Sequence, residues 1–135
     1  SQFQLERGAA ATSFSDAGDL ELRRCEWFYQ KSYPLTTVPG TASQGPLMIL
    51  GNNMAGGATV YLSYGLRCRM RAGGALTIWD ENGNVGRITA YTATIGGTHN
   101  ITPSGTGVSE NQILIWHAST SYAGWGFHFV VDARL

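Results

Sequence analysis

Apolar and polar residues alternate along most of this chain, and glycine-, asparagine- or proline-rich turns interrupt the alternation at short intervals. Val60 and Leu62 alternate with Thr59, Tyr61 and Ser63, and Leu66, Cys68 and Met70 alternate with Arg67, Arg69 and Arg71. Near the end, Phe127, Phe129 and Val131 alternate with His128, Val130 and Asp132. A period of two puts the members of each pair of sets on opposite faces of a strand. Leu47 to Leu50, Leu76 to Trp79 and Gln112 to Ala118 read as further strands. Between them lie turn signals: Asn52-Asn53, Gly56-Gly57, Gly73-Gly74, Gly96-Gly97, and Asp80 to Asn84 with its Asn-Gly hairpin pair. The hairpin is expected to continue through Val85 to Ile95, with Ile88, Ala90, Thr92 and Thr94 on one face. Pro34 to Pro46 and Thr98 to Glu110 read as loops. The first holds three of the four prolines and is either a binding loop or a connection crossing between sheets. Leu20 to Tyr33 allows one helical turn capped by Asp19, then an extended segment with Cys25, Trp27 and Tyr29 on one face. The expected fold is all-β: an antiparallel, jelly-roll-like β-sandwich.

A chain of 135 residues suffices for one domain with a core, and 43% apolar residues argue against disorder. Charged residues make up 13%, about half the usual share. With 18 glycines, that composition suits an all-β oligomer whose surface is partly covered. Nine basic and nine acidic residues give zero net charge, which argues against a nucleic-acid partner. No apolar run reaches membrane-spanning length and no signal peptide is visible, so membrane insertion is not expected. The opening at Ser1, inside a strand pattern, reads as the cut edge of a longer chain. Residues 1–19 read as the end of an upstream module and a linker, and residues 20–135 as a C-terminal β-sandwich domain. Cys25 and Cys68 sit in apolar patterns, so two buried free thiols are expected. Neither has a Cys or His at ligand spacing, and no metal or cofactor is expected.

A family resemblance runs through the chain in order. Gln4, Leu5, Glu6, Gly8, Ala11, Thr12 and Phe14 are similar to a segment that closes an upstream β-module in many tailed-phage tail proteins. Glu21, Leu22, Cys25, Tyr29, Lys31 and Ser32 resemble the segment that opens the last domain of those proteins. Arg69-Met70-Arg71-Ala72, Leu76 to Asp80 and Asn82-Gly83 resemble a later motif, with Gly74 where that motif has proline. Asp132-Ala133-Arg134-Leu135 resembles the common ending. Ser15, and Glu26-Trp27-Phe28, depart from the pattern. The resemblance implies the C-terminal domain of a phage or prophage tail fibre or tailspike, a homotrimer in the virion tail joined to the rest of the fibre upstream. It does not say which receptor is bound, because such domains tip proteins with different receptors.

The motifs of common enzymes are missing. His99, His117 and His128 lie in no H-E-x-x-H pattern, and there is no G-x-S-x-G elbow. Asp80, Glu81 and Glu110 could supply a carboxylate pair, but the first two occupy a turn where acids are ordinary, so no enzyme is expected. Sugar binding asks for exposed aromatic platforms beside short polar side chains. Tyr122 and Trp125, flanked by Ser, Ala and Gly, are candidates, with His117, Asn52 and Asn53; Trp116 reads as core after Ile113 to Ile115. Arg67 and Arg69, in a row with Arg71, would repel one another without acids or anions nearby. A structural pairing with Glu or Asp on a neighbouring subunit is favoured for them, with acidic sugars or phosphates of a bacterial envelope as the alternative. The functional expectation is recognition of a host-surface polysaccharide or lipopolysaccharide during adsorption; the alternative is a trimerisation cap without receptor contact.

Overall fold

The computed structural model describes residues 18–44, 48–51, 59–91, 97–118 and 124–134. One strand near the end, Gly124–Asp132, organises the larger of two antiparallel sheets. In chain order the elements are α1 (Gly18–Glu26), β1 (Tyr29–Lys31), β2 (Met48–Gly51), β3 (Thr59–Gly65), β4 (Ala75–Trp79), β5 (Ile88–Tyr91), β6 (Gly97–Ile101), β7 (Gly105–Val108), β8 (Gln112–Ala118) and β9 (Gly124–Asp132). Along one edge of β9, β2 and β1 lie end to end, Ile49 opposite Gly126 and Gln30 opposite Val131. Along the other edge lie β5 and β4, Ala90 opposite Trp125 and Ile78 opposite Phe129. β6 extends the sheet beyond β5. The second sheet is β3-β8-β7.

The core lies where the two sheets face each other. Trp125, Phe127, Phe129 and Val131 of β9 meet Val60 and Leu62 of β3 and Ile113 and Ile115 of β8, joined by Ile78, Ile88, Ala90 and Met70. This is the all-β sandwich expected from the period-two pattern. The opposite face of β9 is covered as well. His128 has no exposed surface and stacks on Tyr33 with ring centroids 4.1 Å apart. Its Nε2 donates to the Ser43 carbonyl at 3.0 Å, and its Nδ1 lies 3.1 Å from Ser32 Oγ, which also accepts the Phe129 N–H. The segment after Pro34 therefore closes over the sheet. It does not cross between sheets, because β1 and β2 belong to the same one. Lys31 Nζ holds its start by donating to the carbonyls of Leu35 and Thr37.

Several local expectations are corrected. α1 spans nine residues rather than one turn, and Asp19 lies inside it. Acids at its start and Arg23 and Arg24 in its last turn match the helix dipole, and its leucines and arginines are good helix formers. Cys25 and Trp27 thus share no strand face with Tyr29. Leu66 to Met70 keeps its burial alternation without being a strand, since Leu66 N–H and Met70 N–H donate singly to the carbonyls of Asn111 and Glu110. β4 and the segment leading into β5 are joined by a Trp79–Val85 bridge, by the Gly86 N–H on the Ile78 carbonyl and by the Asp80 N–H on the Asn84 carbonyl. The hairpin ladder does not continue, because each strand pairs instead with its own stretch of β9; Thr92 and Thr94 lie outside the described residues. Thr98 to Glu110 contains β6 and β7, whose Gly-Thr-Asn composition hides two paired strands.

The thiols are corrected too: Cys25 is exposed and Cys68 half-buried, both free. At Gly74, a Cβ would fall 2.5 Å from the Asp132 carbonyl oxygen, so the turn into β4 presses its backbone against the end of β9. Any side chain, proline included, would force the two apart.

Asp80 fixes the turn between β4 and β5. It is fully buried, and its carboxylate accepts from the N–H groups of Asn82, Asn84 and Asn100 and from the Asn84 side-chain amide at 2.7 to 3.0 Å. Burial raises its pKa, but these hydrogen bonds together outweigh burial and hold it below the ordinary 3.8. Beside it, Glu81 is buried and accepts the Tyr91 hydroxyl.

Asp80→Ala, which strands three N–H groups, should cost about 2–4 kcal/mol in urea unfolding at neutral pH. A carboxylate whose folded pKa is depressed gives its full stabilisation above the unfolded value and loses it as pH falls through the folded one. The gap between wild type and Asp80→Asn should therefore shrink as pH drops from about 5 to about 2; a gap independent of pH would refute the assignment. The thiols give a second test. Burial, then the charge of Glu26, pushes the Cys68 thiol up, and Gln30 Nε2 lies 3.4 Å from its sulfur. Labelling with a chromogenic disulfide should show a fast phase, abolished by Cys25→Ser, and a phase at least about tenfold slower from Cys68. Equal rates would contradict the difference in burial.

Candidate functional site

Strand alternation builds an aromatic face on the outside of the β3-β8-β7 sheet. Ile113 and Ile115 point inward and are fully buried. Trp116 has the opposite parity, so it lies outward and half-buried. It stands directly across from Tyr61, which is 63% exposed. The two rings are stacked at 6.2 Å between centroids and 29° between planes. On the other side Trp116 faces Gly105 of β7. A Cβ at Gly105 would lie 2.2 Å from the indole Cζ2, so only glycine lets the indole lie across β7 in this pose. Polar groups flank the rings. Ser63 Oγ donates to Gln112 Oε1 at 3.2 Å on the same face, and Thr59 is exposed at its end. A flat apolar surface edged by hydroxyl and amide groups can stack against the C–H side of a sugar ring and bond its hydroxyls.

The residues singled out in the sequence fare differently. Trp125 is 1% exposed in the core, so it cannot serve as a platform; the central position of β9 buries it. His117 is half-buried at the same end of the sandwich, its ring edge-on to Trp125 at 4.8 Å. Its Nδ1 has no hydrogen-bond partner among the described residues. Tyr122, Asn52 and Asn53 lie outside the described residues. Arg67 and Arg69 are exposed, and each meets an acid of its own chain. Arg67 Nη1 lies 3.6 Å from Glu26 Oε1, and Arg69 Nη2 lies 2.5 Å from Glu110 Oε2. Arg71 lies over the Phe28 ring, 5.7 Å from its centroid. The acids that Arg67 and Arg69 meet thus lie within the chain, where a neighbouring subunit was expected to supply them. Asp80 and Glu81 are held in the buried turn, and Glu110 is held by Arg69.

Trp116 corrects the reading of it as core, and Tyr61 was passed over as an ordinary outward residue of a half-buried strand. The signal was present in the pattern. Two alternating strands put Tyr61 and Trp116 on outward parities, but the pairing register that sets them opposite each other is a long-range property.

No protein-family model matches the chain, and comparison with curated proteins and with solved structures returns no match.

Proposed function

We propose that this chain is the distal domain of a phage tail fibre or tailspike and recognises a host-surface polysaccharide through the Tyr61–Trp116 face. The observation that carries the proposal is the aromatic pair left open to solvent on a rigid sheet, with a glycine strand beneath one ring. A face built on paired strands keeps its rings in place before ligand arrives, which lowers the ordering cost of binding. The ordered motifs that resemble tail-protein domains support the viral assignment, with the rest of the fibre upstream and the virion tail as its location. Binding by a single face of this size would be weak, and three copies in a homotrimer would strengthen it through avidity.

The structural-cap reading draws on a different surface. Leu22, Leu35 and Val38 are 42%, 75% and 71% exposed. Apolar side chains so open on an isolated chain suit a contact between subunits.

Tyr61→Ala should leave the unfolding midpoint nearly unchanged, and Trp116→Ala, which uncovers part of β7, should lower it modestly without loss of the fold. Each should weaken binding to host cells roughly tenfold per face, as loss of about 1.5 kcal/mol of ring contact requires. Adsorption equal to wild type would sink the assignment of this face. Light scattering should give a solution mass near three chains; a monomer would remove both the avidity argument and the cap.

A further inference from the structure

We propose that the grooves around Trp27 form a second binding site, selective for acidic sugars, at the side of the domain where α1 meets the 67–71 segment. This rests on the glycan-recognition reading for its ligand class but uses a different surface.

The site is built by Gln30, the buried middle residue of β1. Its Nε2 donates to the carbonyls of Glu26 and Cys68 at 3.1 and 3.0 Å, and its Oε1 accepts the Arg67 N–H at 3.0 Å. One side chain thereby locks the end of α1 against the arginine segment. Further along, the Arg71 N–H donates to the Trp27 carbonyl at 2.9 Å. Between these ties a groove of about 510 Å³ is lined by Arg23, Arg24, Glu26, Trp27, Arg67 and Cys68. A second of about 380 Å³ continues past Trp27 to Arg69, Arg71 and Glu110. Trp27 is common to both and half exposed.

Charge decides what fits. The chain as a whole is neutral, yet five of its nine basic residues border these grooves against two carboxylates. Glu110 is taken up by Arg69, and Glu26 touches Arg67 only at 3.6 Å. Arg23 and Arg24 are both exposed. Guanidinium forks bind carboxylates in two-point fashion, and an exposed indole offers a sugar ring its apolar face. A ring that carries a carboxylate, as in a uronic acid, uses both at once. A neutral sugar leaves the arginines unanswered.

The test measures binding of the full chain to polygalacturonate, dextran and duplex DNA at low ionic strength, following indole fluorescence and heat. Polygalacturonate should bind and weaken as salt is added, and dextran should not compete for the groove. Replacing Arg23, Arg24 and Arg67 together by Gln should weaken polygalacturonate binding at least tenfold while leaving the unfolding midpoint in place. Trp27→Phe should remove the fluorescence change. Tyr61→Ala should leave polygalacturonate binding intact. The inference is overturned by no binding of polygalacturonate, by unchanged binding in the triple variant, or by tighter binding of DNA than of polygalacturonate. Loss of polygalacturonate in Tyr61→Ala but not in the arginine variant also overturns it, and leaves the Tyr61–Trp116 proposal standing.

Discussion

The structure depends on β9 being satisfied in every direction at once. Its two edges carry ladders to four strands, and its two faces are both sealed. A strand in that position cannot tolerate an unpaired polar group, because burial without a hydrogen bond costs several kcal/mol in an apolar medium. His128 is the test of that rule. Its ring is enclosed, and it is accepted because Ser32, Ser43 and Tyr33 meet it on three sides. The long segment after Pro34 is therefore constrained at both ends by one imidazole.

The parts of the fold legible in the sequence were those set by local periodicity. Val60 and Leu62 inward, Thr59, Tyr61 and Ser63 outward, and the division of β9 into an apolar face and a His128 face all follow from a period of two. What was hidden depends on partners distant in sequence. Asp80-Glu81-Asn82-Gly83-Asn84 announces a turn correctly, but nothing local says that the strands on either side will pair with β9 instead of with each other. β6 and β7 carry too few apolar residues to alternate and are strands only because β5 and β8 supply hydrogen bonds. The helix was underestimated because Trp27, Phe28 and Tyr29 suggested extension, while the residues before them favour helix and fit its dipole.

The same division explains why the candidate sites were only half visible. Trp125 looked available because its neighbours are small, yet small neighbours on a central strand are what let a tryptophan pack into the core. Trp116 looked buried because it ends an apolar run, yet its parity places it outside. Composition around a residue is a poor guide to exposure in a sheet; parity is a better one, and register completes it. Arg23 and Arg24 belong to a different element from the arginine row, and the contacts that bring the two together, Gln30 foremost, are long-range.

Residues that carry the resemblance mostly serve the scaffold. Lys31 pins the covering loop, Ser32 meets His128, Asp80 fills the buried turn, and Asp132, the last residue of β9, pairs with Arg134. The two surfaces proposed for binding use other side chains: Tyr61 and Trp116 on one, Trp27, Arg23, Arg24 and Arg67 on the other. Trp27 itself stands where the chain departs from the pattern. A scaffold held by a fixed set of buried polar contacts leaves its outward parities free to change without loss of stability, since surface substitutions usually alter stability by less than about 0.5 kcal/mol. That freedom suits the role proposed for this chain, in which a fixed scaffold presents a variable binding surface. It also predicts where specificity should reside: on exposed rings and guanidinium groups, and not on the histidine and carboxylates that hold the sheets together.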